Sequence, residues 1–154
     1  MSPFLMSLRR ALLLLLGVLA AAGSAAQTGP QPELPTTRLT AGMHVITAEL
    51  ASTTQSRSVG MMFRQSIAPN HGMLFLFEDK GQQCFWMRNT LLPLSIAFIA
   101  DDGTILQIAD MAPKSEALHC SQEPVRYALE MEQGWYAKKG ALAGTKIRGL
   151  PVPR

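Results

Sequence analysis

The stretch that most constrains this chain is Cys84-Phe-Trp-Met-Arg-Asn-Thr-Leu-Leu-Pro-Leu-Ser-Ile-Ala-Phe98. It sets a cysteine, a tryptophan, a polar Arg-Asn-Thr corner and an apolar run side by side. Gln83 to Arg88 reads as a strand that ends at Asn89-Thr90. Pro93 cannot donate to a β ladder, so it marks an edge or the entry to a second strand, Leu94 to Ala100. The rest of the chain is expected to pack against this strand–corner–strand unit.

The other apolar runs are also short and strand-like. His44 to Ala51 alternates, with Ile46, Ala48 and Leu50 on one side and Val45, Thr47 and Glu49 on the other. Met73 to Phe77 is wholly apolar, too short and too aromatic for a helix, and reads as a buried strand. Asp101-Asp-Gly103 followed by Thr104 to Ala109 is a hairpin signal. Val125, Tyr127, Leu129 and Met131 alternate with Arg126, Ala128, Glu130 and Glu132. Thr145 to Arg148 supplies a last strand. Helical pattern is confined to Gln55 to Met62, which Ser52, Thr53 or Thr54 can cap, and to one turn at Trp135 to Lys139, stopped by Gly140. Met111 to Glu123 reads as a long loop. About seven short strands with frequent turn signals, and one or two short helices, predict a mainly β fold of sandwich or barrel type.

The N-terminus has a different character. Arg9 and Arg10 precede Ala11 to Ala22, an apolar run with five consecutive leucines, and Ser24 and Ala26 suit cleavage before Gln27. This is the layout of a secretory signal peptide over residues 1–26. The run is short for a spanning helix, which needs about 20 apolar residues, although an uncleaved anchor is the alternative. Pro30, Pro32 and Pro35 remove backbone donors, so residues 27–40 are expected to be a flexible linker and residues 41–154 a single domain. Loss of residues 1–26 takes two of the 14 basic side chains and none of the 11 acidic ones. The mature chain is then almost neutral. No basic patch points to nucleic acid, and a periplasmic or secreted location is expected.

Cys84 and Cys120 are the only cysteines. In an exported chain an even count favours a disulfide, worth roughly 3–4 kcal/mol for a loop of this length, against two buried free thiols. His44, His71 and His119 are isolated, and no clustered metal ligands or cofactor motif is present. Soft methionine thioethers could hold Cu(I), with Met61, Met62 and Met111 the suspects. The simpler use of methionine is to fill gaps in a core.

Polar groups embedded in apolar runs are the better site candidates. Arg64, Trp86, Arg88, Asn89, Thr90 and Glu130 form the candidate pocket. Arg64 and Glu130 either make a buried ion pair that fixes the helix on the sheet or line a small polar pocket floored by Trp86. Asn89 and Thr90 either bond their own backbone at the corner or point into that pocket.

Gly60-Met-Met-Phe-Arg64, Gly72-Met-Leu-Phe-Leu-Phe77, Phe85-Trp-Met-Arg-Asn-Thr90 with Pro93-Leu94, and Arg126-Tyr-Ala-Leu-Glu130 with Gly134 together resemble the domain-of-unknown-function 192 family, across about residues 43 to 150. The resemblance implies a compact, mainly β, sandwich-like fold and supplies no reaction. Many members carry Asp where this chain has Ser95, so a catalytic carboxylate at that position is in doubt here. Met61 replaces a leucine common in the family, with little chemical consequence.

The expected role is a small exported domain that binds a ligand or an envelope partner without catalysis. One alternative is an envelope hydrolase with Glu130 as general acid/base, which would want a second carboxylate nearby. Glu132 shares the strand face of Glu130 but reads as a solvated strand-end charge. The other alternative is copper handling through methionine.

Overall fold

The computed structural model describes residues 27–153. Its elements are β1 (Thr36–Ala41), β2 (His44–Ala51), α1 (Thr54–Val59), β3 (His71–Gly81), β4 (Cys84–Phe85), β5 (Leu94–Ile99), β6 (Ile105–Met111), β7 (His119–Cys120), β8 (Val125–Glu132), α2 (Trp135–Lys139) and β9 (Ile147–Arg148). Seven strands form one sheet in the order β6-β5-β8-β3-β2-β1-β9, and β4 pairs with β7 in a separate ribbon. All pairings are antiparallel except β2 with β3. The parallel pair forces the chain between them to cross back over the sheet, and that connection carries α1.

The sheet curls until its two edge strands meet. Ile147 N donates to Gly103 O at 2.8 Å, Ile105 N to Thr145 O at 2.9 Å and Gly144 N to Ile105 O at 2.8 Å. These bonds, with a bridge between Thr104 and Lys146, join the two edges at one end and curl the sheet into a barrel-like shape. Gly103 is required at this seam, because a Cβ there would collide with the Ile147 carbonyl.

Alternation then divides the side chains between two cores. Leu39, Ile46, Ala48, Leu74, Ala97, Ile99, Leu129, Met131 and Ile147 fill the barrel, and α2 adds Trp135 and Tyr136 to this cluster. Met73, Phe75, Leu94, Ile96, Phe98 and Ala128 point the other way and pack with Met61, Met87 and Met111. That outer core lies beneath a cover made by the loop after α1, the β4–β7 ribbon and the corner at residues 86–90.

The mainly β class is as the sequence predicts, and β2, β8 and α2 have the predicted bounds. Three expectations are corrected. The linker expected over residues 27–40 is a strand from Thr36 onward, because Leu39 and Ala41 alternate into the barrel and β1 pairs along the whole of β2. Even the residues before it are tied down: Gln31 Nε2 donates to Ser56 O at 3.0 Å and Gly60 O at 2.9 Å. The strand expected over Gln83 to Arg88 shrinks to Cys84–Phe85, and this stretch is a cover on the sheet, not the unit at its centre. The loop over Met111 to Glu123 contains a short strand, β7. The expected signal peptide lies outside the described residues.

Cys84 and Cys120 are disulfide-bonded and face each other directly across the β4–β7 ribbon. The ribbon has only two residues per strand, too few to persist without a tie. For a separation of 36 residues the chain-entropy model gives about 4 kcal/mol. Cys84→Ser with Cys120→Ser is expected to lower Tm by about 10 °C, read by thermal unfolding. Adding reductant to the unaltered protein should reproduce that loss, and an unchanged Tm would show that the bond does not hold the cover.

Candidate functional site

The site grows from the position of β8. This strand lies between β3 and β5, so Glu130 sits opposite Met73 on one side and Ile96 on the other. Its neighbours on the covered face are therefore apolar. Glu130 is only 4% exposed, and no protein group hydrogen-bonds its carboxyl among the described residues. Burial pushes its pKa up to about 8. The β3 backbone comes close here because Gly72 has no side chain; a Cβ there would collide with the Glu130 carbonyl.

Beside Glu130 the cover leaves a cleft of about 280 Å³. One wall is α1 and the loop after it, with Arg57, Val59, Gly60, Met61 and Met62. The opposite wall holds Cys84, Phe85, Trp86 and Thr90, and Phe75 and Phe77 of β3 line the base. Phe85 meets Phe75 edge-on with ring centroids 4.9 Å apart, so the aromatic lining is packed rather than loose. The two walls are tied by Phe63 N donating to Asn89 O at 2.8 Å. Both residues have positive φ, 62° for Phe63 and 56° for Asn89. Positive φ is unusual for a bulky residue such as phenylalanine, and such strain persists only where the surroundings enforce it.

The six candidate residues divide in two. Trp86, Thr90 and Glu130 line the cleft; Arg64, Arg88 and Asn89 do not. Trp86 is a half-exposed wall residue and not the floor. Thr90 is buried, and its backbone N–H closes a turn on Met87 O at 2.9 Å. Asn89 is exposed and shapes the corner through its backbone. Arg88 is exposed, lies over the Trp86 ring at 5.5 Å and stands 3.7 Å from Glu116.

Arg64 does not pair with Glu130. It forms a two-pronged pair with Glu49, Nη1 to Oε1 at 2.7 Å and Nη2 to Oε2 at 2.8 Å. Leu34 N also donates to that carboxylate, at 2.8 Å. The alternation of β2 places Glu49 on the polar side of its strand, and nothing local in the sequence says that this side is covered. Arg57, Gly60, Phe75, Phe77 and Phe85 are cleft residues that the sequence reading passed over. Their signal is weak, since each also fits a core, cap or turn role.

The chemistry available is limited. Glu132 is exposed and outside the cleft, so among the described residues Glu130 is its only carboxylate. Met61 and Met62 line the cleft, whereas Met111 is fully buried in the outer core. Ser95 is buried and donates to Asp110, while Gly134 N donates to Ser95 Oγ at 2.9 Å. The position in doubt from the resemblance is thus a structural tie between β5, β6 and the start of α2.

A family model described as DUF192 (Uncharacterized ACR, COG1430) matches residues 37–149. The chain belongs to the DUF192 family. Two solved structures carry the same fold. One, a candidate transcription regulator from Sinorhizobium meliloti, is 40% identical with a TM-score of 0.73, over 77% of this chain and 97% of that one. The other, a protein of unknown function from Novosphingobium aromaticivorans, is 33% identical with a TM-score of 0.73, over 86% of this chain and 99% of that one. No curated protein matches. The family model begins at Thr37, which agrees with β1 being part of this DUF192 domain.

Two outcomes follow from the acids of this DUF192 protein. A carboxyl held protonated by the fold costs stability once the unfolded chain ionises. The cost is absent below about pH 4.5, grows with pH and levels off above about pH 8. Glu130→Gln, which stays neutral, should leave Tm unchanged at pH 4 and raise stability by roughly 3 kcal/mol at pH 7. A gain that does not vary with pH would contradict this account. Arg64→Met strands the Glu49 carboxylate, 16% exposed, and should cost about 3 kcal/mol by denaturant unfolding. Adding Glu49→Gln should recover much of that loss.

Proposed function

We propose that this DUF192 protein is an exported, non-catalytic binding module, in the periplasm or secreted, whose cleft takes a small and largely apolar ligand. One observation carries the reading. Glu130 is buried, has no protein partner among the described residues and borders a cleft walled by phenylalanine, tryptophan and methionine. A core residue would be better apolar there, because an acid without a partner costs stability. Apolar side chains with a few placed polar groups, here Arg57, Gln83, Thr90 and Glu130, are the usual form of a ligand pocket.

Export is supported by the pattern of residues 1–26 and by the disulfide, which persists in oxidising compartments. No described helix is long and apolar enough to cross a membrane. The hydrolase reading draws no support from the cleft, which among the described residues offers one carboxylate where glycoside chemistry uses two. The copper reading is weakened, because only two of its three methionines, Met61 and Met62, line the cleft and Met111 is packed in the outer core. The S. meliloti protein is described as a transcription regulator, and a regulator that acted by reading DNA would commonly set a helix in the major groove. The two described helices have six and five residues, and the near-neutral mature chain offers little phosphate attraction.

The test uses tryptophan emission. Trp86 lines the cleft, whereas Trp135 is buried in the barrel core. Ligands found by a thermal-shift screen of small apolar molecules are expected to change emission in the unaltered protein and not in Trp86→Phe. A screen with no stabilising compound, or an emission change that survives Trp86→Phe, would remove the reading.

A further inference from the structure

The ligand's chemical class can be read from the charges around the cleft, an inference that rests on the cleft being a ligand site. We propose that it takes a small monocarboxylate on an apolar body, with the carboxylate on Arg57 at the mouth and the body against Phe77, Phe85 and Trp86.

The three nearby arginines have different partners. Arg64 is neutralised by Glu49, and Arg88 stacks on Trp86 beside Glu116. Arg57 differs from both. Its Nη1 donates to Ser52 O at 2.6 Å and to Leu76 O at 2.8 Å, and its guanidinium lies 5.0 Å from the centre of the Phe77 ring. Those contacts fix the group in place but use neutral partners. No carboxylate of the described residues pairs with it, and its Nε and Nη2 have no protein acceptor among them. Arg57 is therefore an oriented cation at the edge of an aromatic cleft, half-buried and without a counter-ion.

A guanidinium with free N–H groups matches a carboxylate better than any neutral group. The rest of the lining sets what the carboxylate is attached to. Phe77, Phe85, Trp86, Met61 and Met62 offer mostly apolar surface beside the neutral polar groups of Thr54, Ser58, Gln83 and Thr90, and about 280 Å³ suits an alkyl or aryl group of modest size. Glu130 completes the selection at the inner end. As a neutral acid it can donate a hydrogen bond but adds no negative charge to repel the ligand. A cationic ligand would meet Arg57 first and would need Glu130 to ionise in an apolar setting.

Octanoate, octanol and octylamine share one chain and differ only in the head group, so they separate charge from apolar burial. Titrated into the disulfide-bonded protein by calorimetry, octanoate is expected to bind about tenfold more tightly than octanol, and octylamine more weakly than either. 3-Phenylpropionate tests whether an aryl body serves as well as an alkyl one, and binding of either acid meets the expectation. Arg57→Gln should weaken octanoate about tenfold and leave octanol unchanged, which also shows that the variant keeps its cleft. Arg57→Lys should recover part of the octanoate affinity. Octylamine binding as tightly as octanoate would overturn the proposal while leaving a ligand cleft. So would equal losses of octanoate and octanol on Arg57→Gln. Failure of all the probes would overturn the cleft reading as well.

Discussion

The structure depends on β8 being buried on both faces. Tyr127, Leu129 and Met131 fill the barrel, while Ala128 packs with the outer core on the opposite side. A strand covered on both faces is normally apolar throughout. Glu130 breaks that rule at the centre of the sheet, where neither neighbour, Met73 nor Ile96, can compensate it. The fold accepts the acid by holding it neutral, at a cost that a leucine or glutamine would avoid. Departures of this kind, kept in an otherwise consistent core, are expected at functional positions.

The cover that buries Glu130 has little regular structure of its own. It is held by point ties: the Cys84–Cys120 disulfide, Phe63 N to Asn89 O, Met87 N to Ser115 O at 2.8 Å and Lys114 N to Thr90 O at 2.9 Å. Phe63, Asn89 and Lys114 all have positive φ, so these ties hold the backbone in conformations that it would not choose locally. Strain in the cover and rigidity in the barrel have one common result. The aromatic walls are fixed in place, and under the proposed binding role that would lower the ordering cost of taking up a ligand.

Much of the barrel was legible because a period of two survives in short segments. β2 and β8 show it plainly, and their bounds follow from it. β1 was hidden by its neighbours: Pro30, Pro32 and Pro35 read as a linker, although Leu39 and Ala41 already carry the alternation. The site was legible only as single residues. Glu130 stands out as a charge inside an apolar run, and Trp86 as an aromatic beside a polar corner. What Glu130 and Arg64 meet depends on the strand order β5-β8-β3-β2, which joins segments far apart in the chain. No local pattern encodes that order, so the expected Arg64–Glu130 pair was chemically reasonable and topologically wrong.

The strand order also explains why the arginine went elsewhere. Glu49 is in register with Met73, and Met73 with Glu130, so the two acids lie on one row of the covered face, separated by a single strand. At a strand spacing of about 4.8 Å their backbones are about 10 Å apart. The loop after α1 crosses the β2 side of this row, and there Arg64 neutralises Glu49 with two hydrogen bonds. One residue, Met73, separates a charged solution to acid burial from an uncharged one. If Arg64 had reached Glu130 instead, the cleft would hold an ion pair at its inner end in place of an uncharged acid. The position of Glu49 on β2 thus leaves Glu130 without a partner among the described residues, and Arg57 on the cleft wall is likewise claimed by no acid among them.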